Sequence, residues 1–108
     1  MHFCDIEHRA IKELVPGVNI RSFWGEHIQL ITVTIDPGAH VPTHQHPEEQ
    51  SGTVLSGNVI FTIGDETRTL QPGDCYIIPG NVPHSATGGE VEARLVETFC
   101  PIREDLKY

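Results

Sequence analysis

Gly38-Ala39-His40-Val41-Pro42-Thr43-His44-Gln45-His46-Pro47-Glu48-Glu49-Gln50-Ser51-Gly52-Thr53-Val54-Leu55-Ser56-Gly57 is the stretch on which the reading of this chain turns. Glycines bracket a His-x-His pair that is followed by Gln50. Residues two apart in a strand point to the same face. His44, His46 and Gln50 share one parity, so a continuous strand would aim all three side chains one way. Imidazole is the commonest protein ligand for metals, and an amide carbonyl oxygen is an acceptable hard ligand. Pro42 and Pro47 stiffen the backbone on either side of the pair. A bare His-x-His is usually a surface loop without a role. The bracketing glycines, Gln50 and a later His weigh against that reading here.

The later His ends a second stretch, Gly73-Asp74-Cys75-Tyr76-Ile77-Ile78-Pro79-Gly80-Asn81-Val82-Pro83-His84. A glycine, a short apolar strand and then Pro and Pro-His describe a strand running into a turn that presents His84. Together the two stretches resemble the paired motifs of the cupin superfamily, over roughly Ile28 to Phe99. The resemblance implies a double-stranded β-helix, the jelly-roll cupin barrel. It also implies one divalent transition metal (nickel, zinc, manganese or iron) held by His44, His46, Gln50 and His84. The chain departs from the pattern twice. Gln50 stands where Glu is usual, which alters the charge of the site. Asn81 and Gly88 stand where Gly and Asn are common, which alters turn geometry.

The chain has 108 residues, enough for one domain (1–108) with one core. No run approaches the ~20 apolar residues of a membrane helix, and no secretory signal is visible at the start. Cys4, Cys75 and Cys100 are odd in number and widely spaced. This argues against a disulfide framework and for a reducing, cytoplasmic setting. Cys75, inside an apolar run, reads as a small buried hydrophobe. The formal net charge of −8 disfavours nucleic acid and anionic membrane as partners. It leaves room for a small anionic ligand held by a metal and a local Arg.

Along the chain, residues 1–14 fit a short strand or a helical turn equally. Pro16-Gly17 is a turn, and Val18 to Trp24 reads as a strand, with Trp24 in the core or at a dimer interface. Ile28 to Ile35 is β-branched and reads as buried on both faces, as in one sheet packed on another. Further strands are expected at Thr53 to Leu55, Val59 to Ile63, Thr67 to Leu70, Cys75 to Ile78, Ser85 to Thr87 and Glu90 to Phe99. Ser56-Gly57-Asn58 and Gly88-Gly89 read as hairpin turns, and Ile102 to Tyr108 as a polar tail. Many short strands between Gly and Pro turns make an all-β sandwich or barrel.

In the last strand Val91, Ala93, Leu95, Glu97 and Phe99 share a face, so Glu97 is a lone carboxylate among apolar side chains. Such a group is paired, metal-bound or titrated upward. It has a functional role, pairs with Arg68, or is turned outward by a bulge. The segment Phe99-Cys100-Pro101-Ile102-Arg103-Glu104-Asp105-Leu106 is similar to the C-terminal segment of a narrower group, the pectin-degradation KdgF-type cupins, which act on unsaturated monouronates. His44-Gln45-His46-Pro47-Glu48-Glu49-Gln50 and Phe61-Thr62-Ile63-Gly64 are similar as well. In that group an acidic residue, usually Asp, a Phe and an Arg face the metal. By position these are Glu97, Phe99 and Arg103. His40 shares the parity of His44 but belongs at the rim. His2, His8 and His27 lack ligand spacing and read as surface residues, and Pro47-Glu48-Glu49 as a solvated rim.

The function implied is a metal-dependent enzyme acting on a small anionic, carbohydrate-like substrate, converting a 4,5-unsaturated monouronate to its linear keto form. Three neutral imidazoles and a neutral amide leave the full +2 of a divalent ion uncompensated, which favours an anion. One alternative is a cupin dioxygenase of the quercetinase kind, which oxygen consumption with a flavonol or diketone would reveal. Another is a metal-bearing sugar-binding module without turnover. A homodimer is expected, with part of Phe3 to Ile20 in the interface.

Overall fold

The computed structural model describes residues 2–108. Ten strands follow in chain order: β1 Lys12–Val15, β2 Val18–Trp24, β3 Gln29–Ile35, β4 His40–His44, β5 Glu49–Ser56, β6 Val59–Ile63, β7 Glu66–Leu70, β8 Cys75–Ile78, β9 His84–Gly88 and β10 Ala93–Cys100. They form a six-stranded sheet, β1-β2-β3-β10-β5-β8, and a four-stranded sheet, β4-β9-β6-β7. Neighbouring strands are antiparallel throughout. The sheets close face to face on a core that includes Ile20, Val33, Val54 and Leu95 from the first and Val59 and Phe61 from the second. Phe61 meets the Tyr76 ring across the gap at 4.6 Å between centroids. This is the jelly-roll barrel.

The strands alternate as a half-buried sheet should. In β3, Gln29, Ile31, Val33 and Ile35 are buried, whereas Leu30, Thr32 and Thr34 are only half-buried. The expectation of burial on both faces is therefore corrected: Ile28 precedes the strand and is 62% exposed. Cys75 is exposed rather than buried, because Tyr76 and Ile78 are the inward residues of β8. Trp24 lies on the surface, outside the core, against the Arg9 guanidinium at 5.0 Å.

Register places the inward residues in rows. Val18, Ile35 and Ala93 form one row. Ile20, Val33, Leu95 and Val54 form the next. Ser22, Ile31, Glu97, Gly52 and Tyr76 follow, and then Gln29, Phe99, Gln50 and Ile78. One end of the barrel is thus aliphatic and the other turns polar. A fully buried Ile or Leu stabilises a fold by about 1.5–3 kcal/mol. Placing Ser22, Gln29, Gln50 and Glu97 in such positions gives up that order of stability at each. The polar end is where the two histidine-bearing stretches meet.

Other departures from the sequence reading share a cause. The short strands β1 and β4 carry no strong apolar alternation of their own and are set by pairing to β2 and β9. Ser56-Gly57-Asn58 and Gly88-Gly89 are turns, but not hairpins, since each carries the chain from one sheet to the other. The tail is not a free polar end. It contains a 3₁₀ turn, Glu104–Leu106, and buries Leu106. The Tyr108 hydroxyl accepts from the Ser22 N–H at 3.2 Å and donates to the Ile20 carbonyl at 2.9 Å.

Candidate metal centre and ligand cavity

His44 ends β4 and His84 begins β9, and the two are paired across that ladder. His46 comes from the loop between β4 and β5, and Gln50 from β5 in the other sheet. The continuous strand expected through His44, His46 and Gln50 does not exist, because the chain crosses between sheets here. Convergence is achieved by the fold instead: the ligand nitrogens of His44, His46 and His84 lie within 4.8 Å of one another. Two contacts hold the loops. The Asn81 N–H donates to the His46 carbonyl at 2.7 Å, with Asn81 in the left-handed region at φ 63°, which Asn tolerates better than most residues. At Gly80 an added Cβ would lie 2.4 Å from the Pro47 carbonyl oxygen, so only glycine lets the two motif loops touch.

Each imidazole is fixed in the same way. Nδ1 of His44 donates to the Pro42 carbonyl at 2.8 Å, that of His46 to the Glu48 carbonyl at 2.9 Å, and that of His84 to the Val82 carbonyl at 2.8 Å. A carbonyl can only accept, so the proton sits on Nδ1 and a neutral ring offers its Nε2 lone pair inward. Burial pushes His84 down to about 4, against the hydrogen bond to Val82, and burial and the Arg103 charge lower His46 as well. Both rings are then neutral at pH 7, as metal ligation requires.

Two observations show that the site fits a cation. His84 Nε2 is buried without a hydrogen-bond partner among the described residues. His46 Nε2 faces Gln50 Oε1 at 3.1 Å, where two lone pairs repel unless a positive charge lies beside them. The Gln50 amide cannot relieve this by turning over, because its Nε2 donates to Glu97 Oε2 at 2.7 Å.

Glu97 is buried on the inner face of β10, as its parity implies. It does not pair with Arg68, which lies on the surface near Glu66. Its Oε2 accepts from Gln50 and also from the Tyr76 hydroxyl at 2.5 Å. The Tyr76 ring reaches it by lying across Gly52, where a Cβ would come within 2.3 Å of the phenol oxygen. Burial pushes Glu97 up from the ordinary carboxylate value, while Tyr76, Gln50 and the charge of Arg103 pull it back. Burial and the adjacent Glu97 push the Tyr76 phenol upward, so it remains a donor.

His44, Gln50, His84, Glu97, Phe99 and Arg103 all line one cavity of about 70 Å³. Phe99 packs edge-on to His46 at 5.6 Å between centroids. Arg103 is not a solvated tail charge: its side chain is 17% exposed and its guanidinium lies over the Phe99 ring at 5.2 Å. Its fork engages Asp105 at 2.9 and 3.3 Å. His40 sits at the rim bonded to Thr87, and His8 and His27 are exposed. Sequence reasoning missed Tyr76, Gln29 and Glu48. Glu48 is not simply rim, since its carboxylate lies 3.5 Å from His46 Nδ1 with the side chain 19% exposed.

An antiparallel jelly roll with a three-histidine cluster between its sheets defines the class, and residues 31–99 match the family described as Cupin domain. The chain belongs to that family. It is 30% identical over 96 residues to the pectin degradation protein KdgF of Dickeya dadantii, covering 87% of each chain. The solved structure of KdgF from a Halomonas species superposes with a TM-score of 0.88 at 28% identity, covering 97% of this chain and 96% of that one. A stretch of 53 residues, 48% of this chain, is 45% identical to the H2HPP isomerase of Bacillus subtilis, of which it spans 22%. Metal binding is typical of cupins, and His44, His46 and His84 could hold such an ion.

Proposed function

We propose that this chain is a metal-dependent enzyme of sugar-acid metabolism, opening and ketonising a 4,5-unsaturated monouronate. The observation that carries the reading is the placement of a buried carboxylate, Glu97, and a half-buried guanidinium, Arg103, on the same small cavity as His44 and His84, two of the three converging imidazoles. The likeness to two KdgF proteins supports the sugar-acid class. His44, His46, His84 and Gln50 Oε1 would hold the divalent ion. When bound, that ion supplies Lewis-acid polarisation of substrate oxygens.

The chain's own residues account for the rest. Arg103 takes the substrate carboxylate through a charge-assisted hydrogen bond. Phe99 gives the sugar ring an apolar wall. Glu97 moves the proton: the anomeric hydroxyl loses one, the bond from the anomeric carbon to the ring oxygen breaks, and the enolate so released gains one on carbon to become a ketone, so the reaction is an isomerisation without a redox partner. Gln50 and Tyr76 hold Oε2, which directs the other carboxylate oxygen to the substrate.

The test is metal analysis of the purified protein, followed by turnover of unsaturated galacturonate monitored by loss of the conjugated chromophore. Turnover that requires the metal supports the proposal. Tight binding without turnover would make the chain a sugar-binding module instead.

We further propose a homodimer. The outer face of the six-stranded sheet carries half-buried Phe23 and Leu30, with Trp24 and Ile28 beside them and Phe3 almost wholly exposed. Arg21 Nε and Thr32 Oγ1, on the same face, are buried without partners among the described residues. Apolar surface and unpaired polar atoms both call for cover. Light scattering at micromolar concentration should give twice the 12.0 kDa chain mass; a monomer there contradicts the pairing.

A further inference from the structure

The inward residues of β3 are Ile31, Val33 and Ile35, and then Gln29, which is fully buried. A primary amide in such a place needs partners, since leaving it unbonded costs about 1–3 kcal/mol. Its partners are specific. Gln29 Oε1 accepts from the Arg103 backbone N–H at 2.8 Å. Its Nε2 donates to Ser22 Oγ at 3.0 Å and lies 3.4 Å from the Arg103 carbonyl oxygen. The amide therefore treats Arg103 as a neighbouring strand would, although β10 has already ended at Cys100.

Arg103 is fixed at three levels by these contacts. Gln29 holds its backbone, the Phe99 ring lies under its guanidinium, and Asp105 occupies the Nε and Nη2 edge of the fork. Nη1 takes no part in the Asp105 contact, and Arg103 lines the cavity. We infer that Gln29 is a positioning residue for Arg103, setting the guanidinium where it meets the carboxylate of a ligand in the cavity. The inference rests on the sugar-acid reading for the identity of that ligand, but the clamp itself does not.

The probes are D-galacturonate, which lacks the reactive double bond, and its neutral methyl ester, titrated calorimetrically into the metal-loaded protein. Gln29→Met keeps the volume and removes both hydrogen bonds to Arg103. Galacturonate affinity should fall about tenfold, the effect of misplacing one charge-assisted hydrogen bond, while affinity for the ester stays within about twofold of the parent. Ser22→Ala, which removes only one partner of the amide, should give a smaller loss in the same direction and serves if the first variant does not fold. Amide exchange of the Arg103 N–H should quicken in Gln29→Met. Equal loss for acid and ester overturns the positioning role, as does unchanged affinity for both. Unchanged exchange at Arg103 overturns the clamp. If the parent binds neither probe, the sugar-acid reading falls, and the exchange measurement still decides the clamp on its own.

Discussion

Glu97→Gln is expected to lower turnover of unsaturated galacturonate by about 100- to 10,000-fold, the usual contribution of a general acid–base group, with metal content and fold retained. The substitution separates chemistry from architecture because of how Glu97 is held. Oε2 only accepts, from Gln50 Nε2 and from the Tyr76 hydroxyl. A glutamine oxygen at the same position accepts both, so Gln50 keeps its orientation and its Oε1 still faces His46. What is lost is a group able to take and return a proton at the cavity. Glu97→Asp keeps a carboxylate and should fall less, although the side chain is shorter by one methylene and reaches Gln50 and Tyr76 less well. Turnover by Glu97→Gln at the parental rate would remove Glu97 from the mechanism and leave it as a core carboxylate satisfied by its two donors.

The other large effect is on metal. His84→Ala should strip most of the bound ion while the barrel survives. His84 is central to the cluster, with ring centroids 4.2 Å from His44 and 5.0 Å from His46, and its buried Nε2 has no other partner. Removing it leaves two imidazoles and an amide, all from the single stretch 44–50. The fold should hold because β9 is kept by backbone pairing to β4 and β6 on both sides. Elemental analysis after dialysis and far-ultraviolet circular dichroism read the two effects separately. Full occupancy in the variant would show that the ion sits elsewhere.

Glu97 and His84 are both legible in the amino-acid sequence, and the reason is local. Strand periodicity is a property of consecutive residues, so the inward parity of Glu97 within Ala93, Leu95 and Phe99 is read directly from their order. The Gly and Pro turns likewise delimit β2, β6 and β8 at their observed ends. Tyr76 and Gln29 are not legible in this way. Nothing in Cys75-Tyr76-Ile77-Ile78 says that a phenol will cross Gly52 to a carboxylate on β10, because that contact depends on register between β5, β8 and β10. In the sequence Gln29 is one polar residue near the start of a strand. Its partners exist only because the tail returns over it.

The sequence by itself determined the all-β class, the positions of most strands and turns and the inward face of β10. These follow from side-chain period and backbone preference, which act over a few residues, whereas His44, His46, Gln50, His84, Phe99 and Arg103 are gathered into one site only through the resemblance of their motifs to those of cupins. Only the tertiary structure decided which strands pair, and this is why Ser56-Gly57-Asn58 and Gly88-Gly89 join different sheets instead of closing hairpins. A turn fixes a change of direction, but pairing is settled by which apolar faces can be buried together, a competition among all ten strands. The same competition brings His44 and His84 side by side, sets His46 and Gln50 opposite them, and folds Arg103 back onto Phe99.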